Sequence, residues 1–333
     1  MTDAEIEQAL KLQAIFMPYS MKQRLDAYER QGVDPRGPHG LKFAHYTSAE
    51  AALSILRSKR IWLRNATCMS DRSEVNHGFA MLQRYFDQER TKEFAAVVDA
   101  IAPGAAMEAI NTFNGWWTNK LALNVHVASL SEHNAKEEDQ HGRLSMWRAF
   151  GANPTRVALV IRVPNHSQGA VALSIIFSPV GYLAEPEVHQ QVRDVTENIK
   201  REAEYLKTLD RQTIVNYLFF MLFAGVTCLK HEGFREEREW RAVYNHNIFP
   251  SPLMERSIET IAGVPQHIFK LPMDKSVSPE LTDLDMSTLV DRVIIGPSPY
   301  PWVLYQAFVE VLKDAGVADA ENRVWVSGIP IRH

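Results

Sequence analysis

The stretch HYTSAEAALSILRSKRIWLRNATCMSDRSE, residues 45–74, predicts a strand end, a helix and a second strand in immediate succession. Alanine and leucine recur at helical spacing between residues 48 and 58, and Thr47 and Glu50 have the spacing of a capping box that begins a helix. The apolar residues 61–63 then predict a strand. Polar residues follow each strand, at positions where ligand-contacting loops commonly lie.

The remainder of the chain alternates predicted helices and strands without a regular repeat. Helices are expected over residues 3–31 with a break at Pro18, over 72–118 with a break at Pro103, over 144–150, 186–207 and 211–230, and from Ser298 to Gly316. Strands are expected at residues 41–45, 61–63, 121–130, 157–163, 171–177, 239–244, 267–271, 292–295 and 324–326.

This irregular alternation is typical of the α+β class rather than of a doubly wound sheet. We predict an N-terminal helical extension at residues 1–40 and a single α+β domain at residues 41–333. Helical insertions into that domain are expected at about 72–120 and 186–230.

Composition and charge exclude several classes of protein. Gly and Pro number 16 and 17 among 333 residues, too few for collagen or low-complexity disorder. The net charge of −4 argues against a protein that depends on phosphate contacts. Two cysteines, Cys68 and Cys228, are too few for a disulfide scaffold. The acidic, polar start and the shortness of the longest apolar run predict a soluble cytoplasmic protein without a membrane partner.

Several familiar motifs are absent from the sequence. It contains neither GxGxxG nor GxxxxGK[ST], and neither HExxH nor GxSxG. No metal is expected, although His126 and His133, with the acidic loop that follows, leave a metal-dependent hydrolase as an alternative. The cluster at residues 137–139 in that loop is most simply a solvated surface.

The first cluster with a composition suited to binding is His45, Tyr46 and Thr47, at a strand end. It combines hydrogen-bonding groups with a flat aromatic face. A half-buried aromatic pair followed by a helix cap would account for the same residues, and the capping box explains Thr47 by itself.

Two further clusters follow strands. Asn65 and Asp71 lie in a polar loop where they would either contact a ligand or cap a helix. Ser129 and Ser131 lie at the end of a strand, and Trp147 lies on the short helix that comes next. Trp147 is as compatible with a hydrophobic core as with a ligand platform.

The fourth cluster is REEREWR, residues 235–241. If the chain is extended from residue 237 onward, Glu237, Glu239 and Arg241 point to one face of a strand. Two neighbouring carboxylates raise the pKa of one of them, whereas an adjacent arginine lowers it. A surface strand with cross-strand ion pairs is the structural alternative.

In order along the chain, these clusters resemble a bacterial family known as domain of unknown function 2971. The resemblance rests on residues 45–74, SLSE at 129–132, LSMWRAFG at 144–151, VALVIRV at 157–163, EEREWRAVYN at 236–245 and VDRVIIGPS at 290–298. It spans roughly residues 41–300. Departures include Ser70-Asp71-Arg72, where the family often has Asn-Asp-Pro, and Phe150, where it often has a tyrosine.

A second similarity is to the ADP-ribosyltransferase superfamily, and it implies a split mixed or antiparallel sheet. It also implies that His45 holds the ribose of NAD, that Tyr46 stacks on nicotinamide and that Glu239 is the catalytic carboxylate. The Glu237-x-Glu239 pair resembles the paired-glutamate motif of some members.

The same similarity implies NAD as a substrate and an acceptor, protein or nucleic acid, of unknown identity. Arg64 is then the candidate for the NAD pyrophosphate, and Arg241 would position Glu239 or tune its pKa. A toxin or defence role follows from that analogy alone. The alternative from a different class is a non-catalytic module that binds a nucleotide or a partner. The oligomeric state is left open.

Overall fold

The structure is a computed structural model, and it describes residues 3–37, 39–69, 74–86, 88–121, 123–149 and 155–330. Within these ranges the chain forms one large sheet with helices on both faces, together with a small two-stranded sheet. The predicted α+β class is confirmed, because the strands pair mostly antiparallel and the helices do not alternate with them regularly.

The strands of the described residues are β1 (Leu41–Ser48), β2 (Arg60–Asn65), β3 (His126–Glu132), β4 (Arg156–Val163), β5 (Ile176–Pro179), β6 (Gly181–Tyr182), β7 (Leu229–Lys230), β8 (Glu239–Tyr244), β9 (Glu255–Ile261), β10 (Val264–Pro272), β11 (Val290–Ile295) and β12 (Val324–Val326). The helices are α1 (Asp3–Phe16), α2 (Pro18–Gln31), α3 (Ala49–Ser58), α4 (Glu74–Tyr85), α5 (Gln88–Asp99), α6 (Ala105–Trp116), α7 (Ala135–Glu138), α8 (Leu144–Ala149), α9 (Gln168–Ala172), α10 (Glu185–Arg201), α11 (Ala203–Leu206), α12 (Arg211–Thr227), α13 (Met286–Leu289) and α14 (Pro301–Asp314).

The large sheet has the strand order β12-β11-β4-β1-β3-β2-β10-β9, and β8 pairs with both β3 and β5 outside this path. Strand β3 therefore has three neighbours. Along one edge it pairs with β8 over residues 126–131. Along the other edge it meets β2 at His126 and Val127, and β1 at Ser131 and Glu132. Because β1 and β2 contact opposite ends of β3, the sheet divides between them.

The two faces of the sheet have separate cores. Phe219 and Phe223 of α12 pack with Val127 and Val243 on one face, which we call the α12 face. Helices α3 and α14 pack with Leu159 and other apolar residues on the opposite face, which we call the α3 face. Side chains alternate between these faces along each strand.

Several secondary-structure predictions are wrong in detail. The helix predicted to start at a Thr47 cap begins one residue later, and Ser48 is its cap, with its hydroxyl accepting a bond from the Ala51 N–H. Thr47 instead pairs with Val157 inside β1. The strand predicted at 171–177 begins as helix α9 and becomes extended only at Ile176. Strand β9 was not predicted.

The N-terminal helices contribute to the core. Leu12, Ile15 and Phe16 of α1 pack with α10 and α12. Tyr28 of α2 packs in a cluster with Phe43 of β1. In the part of the chain that the structure describes, no helix combines the length and the hydropathy needed to cross a bilayer.

Candidate functional site

The middle of β3 lies where the sheet divides. Residues 128–130 pair with β8 on one edge, and their other edge faces the gap between β1 and β2. Ser129 and Ser131 lie on the same face as Val127, the α12 face. Arg241 and Glu239 are their register partners on β8 and share that face. Four polar side chains are thus grouped on one face of β3 and β8.

Glu239 is the centre of this group. The Ser129 hydroxyl donates to its Oε1 at 2.5 Å, and the Arg241 guanidinium donates to both carboxylate oxygens, at 2.9 and 3.2 Å. Lys230 lies 3.4 Å from Oε2. Glu239 is only 5% exposed and Arg241 only 2%. We call Ser129, Glu239, Arg241 and Lys230 the carboxylate cluster.

Two opposing effects determine the pKa of Glu239. Burial disfavours its charged form, but Arg241, Lys230 and the Ser129 hydroxyl favour it more strongly, so the net result is a lowered pKa. The carboxylate is therefore charged at neutral pH. The role predicted for Arg241 was to position Glu239 or to tune its pKa, and Arg241 contacts the carboxylate and lowers its pKa.

Glu237 lies next to the carboxylate cluster, but it is not on the strand as predicted. It ends the 3-10 helix Glu232–Glu237, and Arg238 follows with a left-handed φ of 43°, so the chain is not extended until Glu239. The strand-face argument for Glu237 is therefore wrong. Its carboxylate nevertheless lies 2.8 Å from the Lys230 ammonium, which bridges Glu237 and Glu239.

Arg143 is an organising residue that sequence reasoning missed. Its guanidinium donates to the Ser131 hydroxyl and to the main-chain carbonyls of Glu132, Glu236 and Glu237. It therefore fixes the turn that leads into Glu239. Its position just before the predicted helix at 144 does not indicate this role, because its partners are main-chain atoms distant in sequence.

His45 lies on the other side of the sheet. Ala44 pairs with Ser131, so His45, the next residue, points to the α3 face, and its partner Leu159 packs there. Its Nδ1 donates to the main-chain carbonyl of Ser129 at 3.0 Å. Burial lowers the pKa of His45, and this carbonyl partly offsets the effect. The structure does not bring His45 and Glu239 together on one face; both contact Ser129, from opposite sides.

Tyr46 and Trp147 form part of the core. Their rings meet edge to face with centroids 4.8 Å apart, and Trp147 is 1% exposed. The Tyr46 hydroxyl accepts a bond from the Arg143 N–H, and burial raises the pKa of Tyr46 to about 12. A Cβ at Gly142 or Gly296 would lie within 2.8 Å of the Trp147 ring, so these glycines make room for it. Of the two alternatives for Trp147, the structure supports the core.

The remaining predicted binding residues have separate places. Arg64 pairs with Val127 and so shares the α12 face; one of its nitrogens donates to the Cys68 carbonyl, and its buried Nε has no hydrogen-bond partner among the described residues. Asn65 caps the 3-10 turn that follows β2 by accepting from the Thr67 N–H. Asp71 lies outside the described residues.

The histidines of the metal alternative lie at opposite ends of β3. His126 begins the strand, whereas His133 follows its last residue and contacts Asp139 at 2.8 Å. Within the described ranges no three His, Cys, Asp or Glu side chains are grouped as metal ligands. Glu138, predicted to be solvated, is 6% exposed and receives a bond from Arg143.

The carboxylate cluster has the groups needed to stabilise a developing cation. An ionised, oriented carboxylate in a site of low dielectric constant interacts strongly with positive charge, and it also accepts a proton from an attacking hydroxyl or water. Each function requires that a substrate reach Glu239, which is buried and has the Lys230 ammonium 3.4 Å from its Oε2.

The comparison with protein-family models gives one result. Residues 146–242 match the family model described as protein of unknown function (DUF2971). The predicted resemblance to DUF2971 is confirmed over this segment, which is shorter than the expected range of 41–300. No curated protein and no solved structure matched the chain.

The DUF2971 segment contains part of the candidate site. It runs from α8 to β8, so Trp147, Glu237, Glu239 and Arg241 lie inside it. Strands β1, β2 and β3, with His45, Arg64 and Ser129, lie outside it. The DUF2971 match thus includes the carboxylate and its arginine but not the hydroxyl that contacts them.

Proposed function

We propose that the protein is an NAD-dependent ADP-ribosyltransferase or NAD glycohydrolase in which Glu239 is the reacting carboxylate. The observation that carries the proposal is the setting of Glu239: it is ionised, oriented by Ser129 and Arg241, and lies on β8, across β3 from the gap at which the sheet divides. A divided sheet and a late glutamate are the features that the superfamily resemblance implies.

The chemistry requires few groups. The bond between nicotinamide and ribose breaks, nicotinamide leaves as a neutral molecule, and the ribose becomes an oxocarbenium-like cation. Glu239 stabilises this cation and takes the proton of the incoming nucleophile as the nucleophile bonds to the ribose carbon. With water as the nucleophile, the products are ADP-ribose, nicotinamide and a proton.

Arg64 provides independent support for an anionic substrate. It lies on the same face of the sheet as Glu239, and its buried Nε–H has no acceptor among the described residues. A buried donor without an acceptor is destabilising, and a pyrophosphate oxygen would satisfy it. The role proposed for His45 changes, because its contact with Ser129 makes it a positioning residue rather than a ribose ligand.

The test is nicotinamide release from NAD by the purified protein, measured by chromatography with protein, DNA or RNA present as acceptor. Glu239→Gln should lower the rate at least about a hundredfold, the usual contribution of a general base. Glu237→Gln is the matched control, since its carboxylate is partly exposed and its hydrogen-bond partner among the described residues is Lys230, and it should retain most of the activity. No release by the wild type, together with no NAD-induced shift in Tm, would exclude the proposal.

A non-catalytic binding module is the second candidate. The specific observation in its favour is that both oxygens of the buried Glu239 carboxylate already have partners within the chain, as in a structural ion pair. For such a module, folded Glu239→Gln protein would keep its partner binding and its cellular effect.

A further inference from the structure

Strand β9 lies at one end of the large sheet, and among the described residues it pairs with β10 alone. The two strands form a hairpin that turns at Ala262 and Gly263, and the positive φ angles of both residues, 50° and 80°, are those of a type I′ turn. The pairing runs without a register shift along all seven residues of β9. The strand is therefore a regular edge strand.

The hairpin geometry determines which main-chain groups of β9 lie on its outer edge. A two-residue turn makes the flanking residues, Ile261 and Val264, a hydrogen-bonded pair, and such pairs recur at every second residue. The main-chain groups of Arg256, Ile258 and Thr260 therefore point away from β10. These three residues are exposed, and no described segment pairs with them.

The other edges of the sheet are protected, whereas the edge of β9 is not. Strand β12 has three residues, and β5 has four, ends at Pro179 and gives its Phe177 carbonyl to Arg24 of α2. Short length, proline and cover by another element prevent edge-to-edge pairing in natural sheets. Strand β9 has neither a proline nor a bulge, and Ile258 at its centre is 66% exposed.

The two glutamates of β9 have partners within the chain. The Glu259 carboxylate lies 3.0 Å from the Lys270 ammonium. The Glu255 carboxylate lies 3.8 Å from the same ammonium and 3.6 Å from the Arg60 guanidinium. The negative charge of the strand is thus compensated within one chain, which lowers the repulsion between two such edges.

The sequence of β9, ERSIETI, is complementary to itself in one antiparallel register. With Ile258 opposite its own copy on a twofold axis, Arg256 faces Thr260 and Ser257 faces Glu259, so no like charges lie directly opposite. The residues whose main-chain groups point outward then meet one another, and each such pair exchanges both of its N–H···O bonds. A register centred on Arg256 would instead oppose two arginines.

We propose that the protein forms a symmetric dimer in which the β9 strands of two copies pair antiparallel, centred on Ile258. The large sheets of the two copies become one continuous sheet, and the same residues form both sides of the interface. The self-complementary register favours a second copy over a foreign strand. The dimer does not depend on the reaction proposed for Glu239.

The first experiment is analytical ultracentrifugation of the full-length protein over a series of concentrations. The wild type should reach a molar mass twice that of the chain. Ile258→Lys places two ammonium groups together on the axis and should weaken the dimer at least about tenfold. Val264→Lys is the matched control, because Val264 is an exposed apolar residue (47%) on β10, one strand away from the interface, and it should remain dimeric.

A cysteine variant tests the register in a Cys68→Ala background, in which the remaining natural thiol, Cys228, is buried. Ile258→Cys should oxidise to a covalent dimer, because the opposed Cα atoms are about 5.5 Å apart, within the range of a disulfide. Thr260→Cys should stay monomeric on a denaturing gel, since its two copies lie four residues, about 13 Å, apart along the paired strands.

Three results would overturn the proposal. The first is a monomer at every concentration. The second is a dimer that Ile258→Lys leaves intact, which would assign the contact to another surface. The third is cross-linking of Thr260→Cys as readily as Ile258→Cys, which would indicate random collision. No measurement uses NAD or turnover, so failure here leaves the proposed reaction of Glu239 untouched.

Discussion

The two ends of β3 differ in whether their buried polar groups have hydrogen-bond partners. At the Ser131 end, the carboxylate cluster satisfies Glu239 with three side chains, and the charges of Glu239 and Arg241 cancel. At the His126 end, one imidazole nitrogen of His126 and the amide group of Gln266 are buried without hydrogen-bond partners among the described residues. The comparison teaches that burial alone does not describe a buried polar group: at the first end the buried charge has partners within the chain, whereas at the second end buried polar atoms lack hydrogen-bond partners among the described residues.

The largest loss of stability is expected from breaking the buried ion pair between Glu239 and Arg241. Arg241→Met leaves the buried Glu239 with a weaker set of partners, and the loss of one member of a buried ion pair costs about 3–5 kcal/mol. Urea denaturation followed by circular dichroism measures this change in the free energy of unfolding. Adding Glu239→Leu removes the uncompensated charge and should restore much of the lost stability. If the free energy of unfolding of Arg241→Met lies within about 1 kcal/mol of the wild type, the ion pair does not stabilise the fold as expected.

The pH dependence of stability separates the two ends. Burial lowers the pKa of His126 from 6.5 to about 4, so the unfolded chain binds more protons than the folded one between these values. The contribution of His126 is complete above pH 6.5 and is lost as the pH falls towards 4, by roughly 3 kcal/mol in total. Glu239, with a lowered pKa, loses its contribution only below the ordinary range of a glutamate.

Urea denaturation of the wild type and His126→Leu at pH 4.5, 5.5 and 6.5 tests this separation. The wild type should lose stability faster than the variant as the pH falls. The difference between the two proteins is the diagnostic quantity, because burial also lowers the pKa of His45. Parallel stability profiles would mean that His126 is not held neutral by its surroundings.

The smallest of these effects is expected at Ser129. Ser129→Ala removes a hydroxyl that donates to a buried carboxylate, and a hydrogen bond to a charged group contributes about 1.5–3 kcal/mol. Ser178→Ala is the matched control, because Ser178 lies across β8 from Arg241 and its hydroxyl contacts uncharged groups, the Pro179 carbonyl and the Ser20 hydroxyl. It should cost about 1 kcal/mol. If the two variants lose equal free energy of unfolding, the hydrogen bond from Ser129 to Glu239 contributes no more than one to a neutral group.

The sequence predicted those parts of the fold that depend on local pattern. Pro18 begins α2, Pro301 begins α14, and the alternation at residues 239–244 corresponds to β8. Where the prediction failed, a nonlocal contact or a single backbone angle decided the outcome. Val171 is β-prone yet helical, and Gly169 of that helix packs closely on Leu284.

The candidate site was predictable in its residue types but not in its geometry. Glu239, Arg241 and Ser129 were named as candidates, and the structure brings them into contact. The face of the sheet that His45 occupies depends on the register between β1 and β3, which no local pattern specifies. Arg143 was missed because main-chain acceptors have no sequence signature.

The contact between His45 and the Ser129 carbonyl connects the two faces of the sheet, because Ser129 also contacts Glu239. The main chain of Ser129 is held from the α3 side, while its hydroxyl holds Glu239 on the α12 side. A displacement of His45 would therefore shift the hydroxyl and change the tilt of the carboxylate without touching it. A molecule that displaced the His45 imidazole would in this way change the pKa of Glu239 on the opposite face of the sheet.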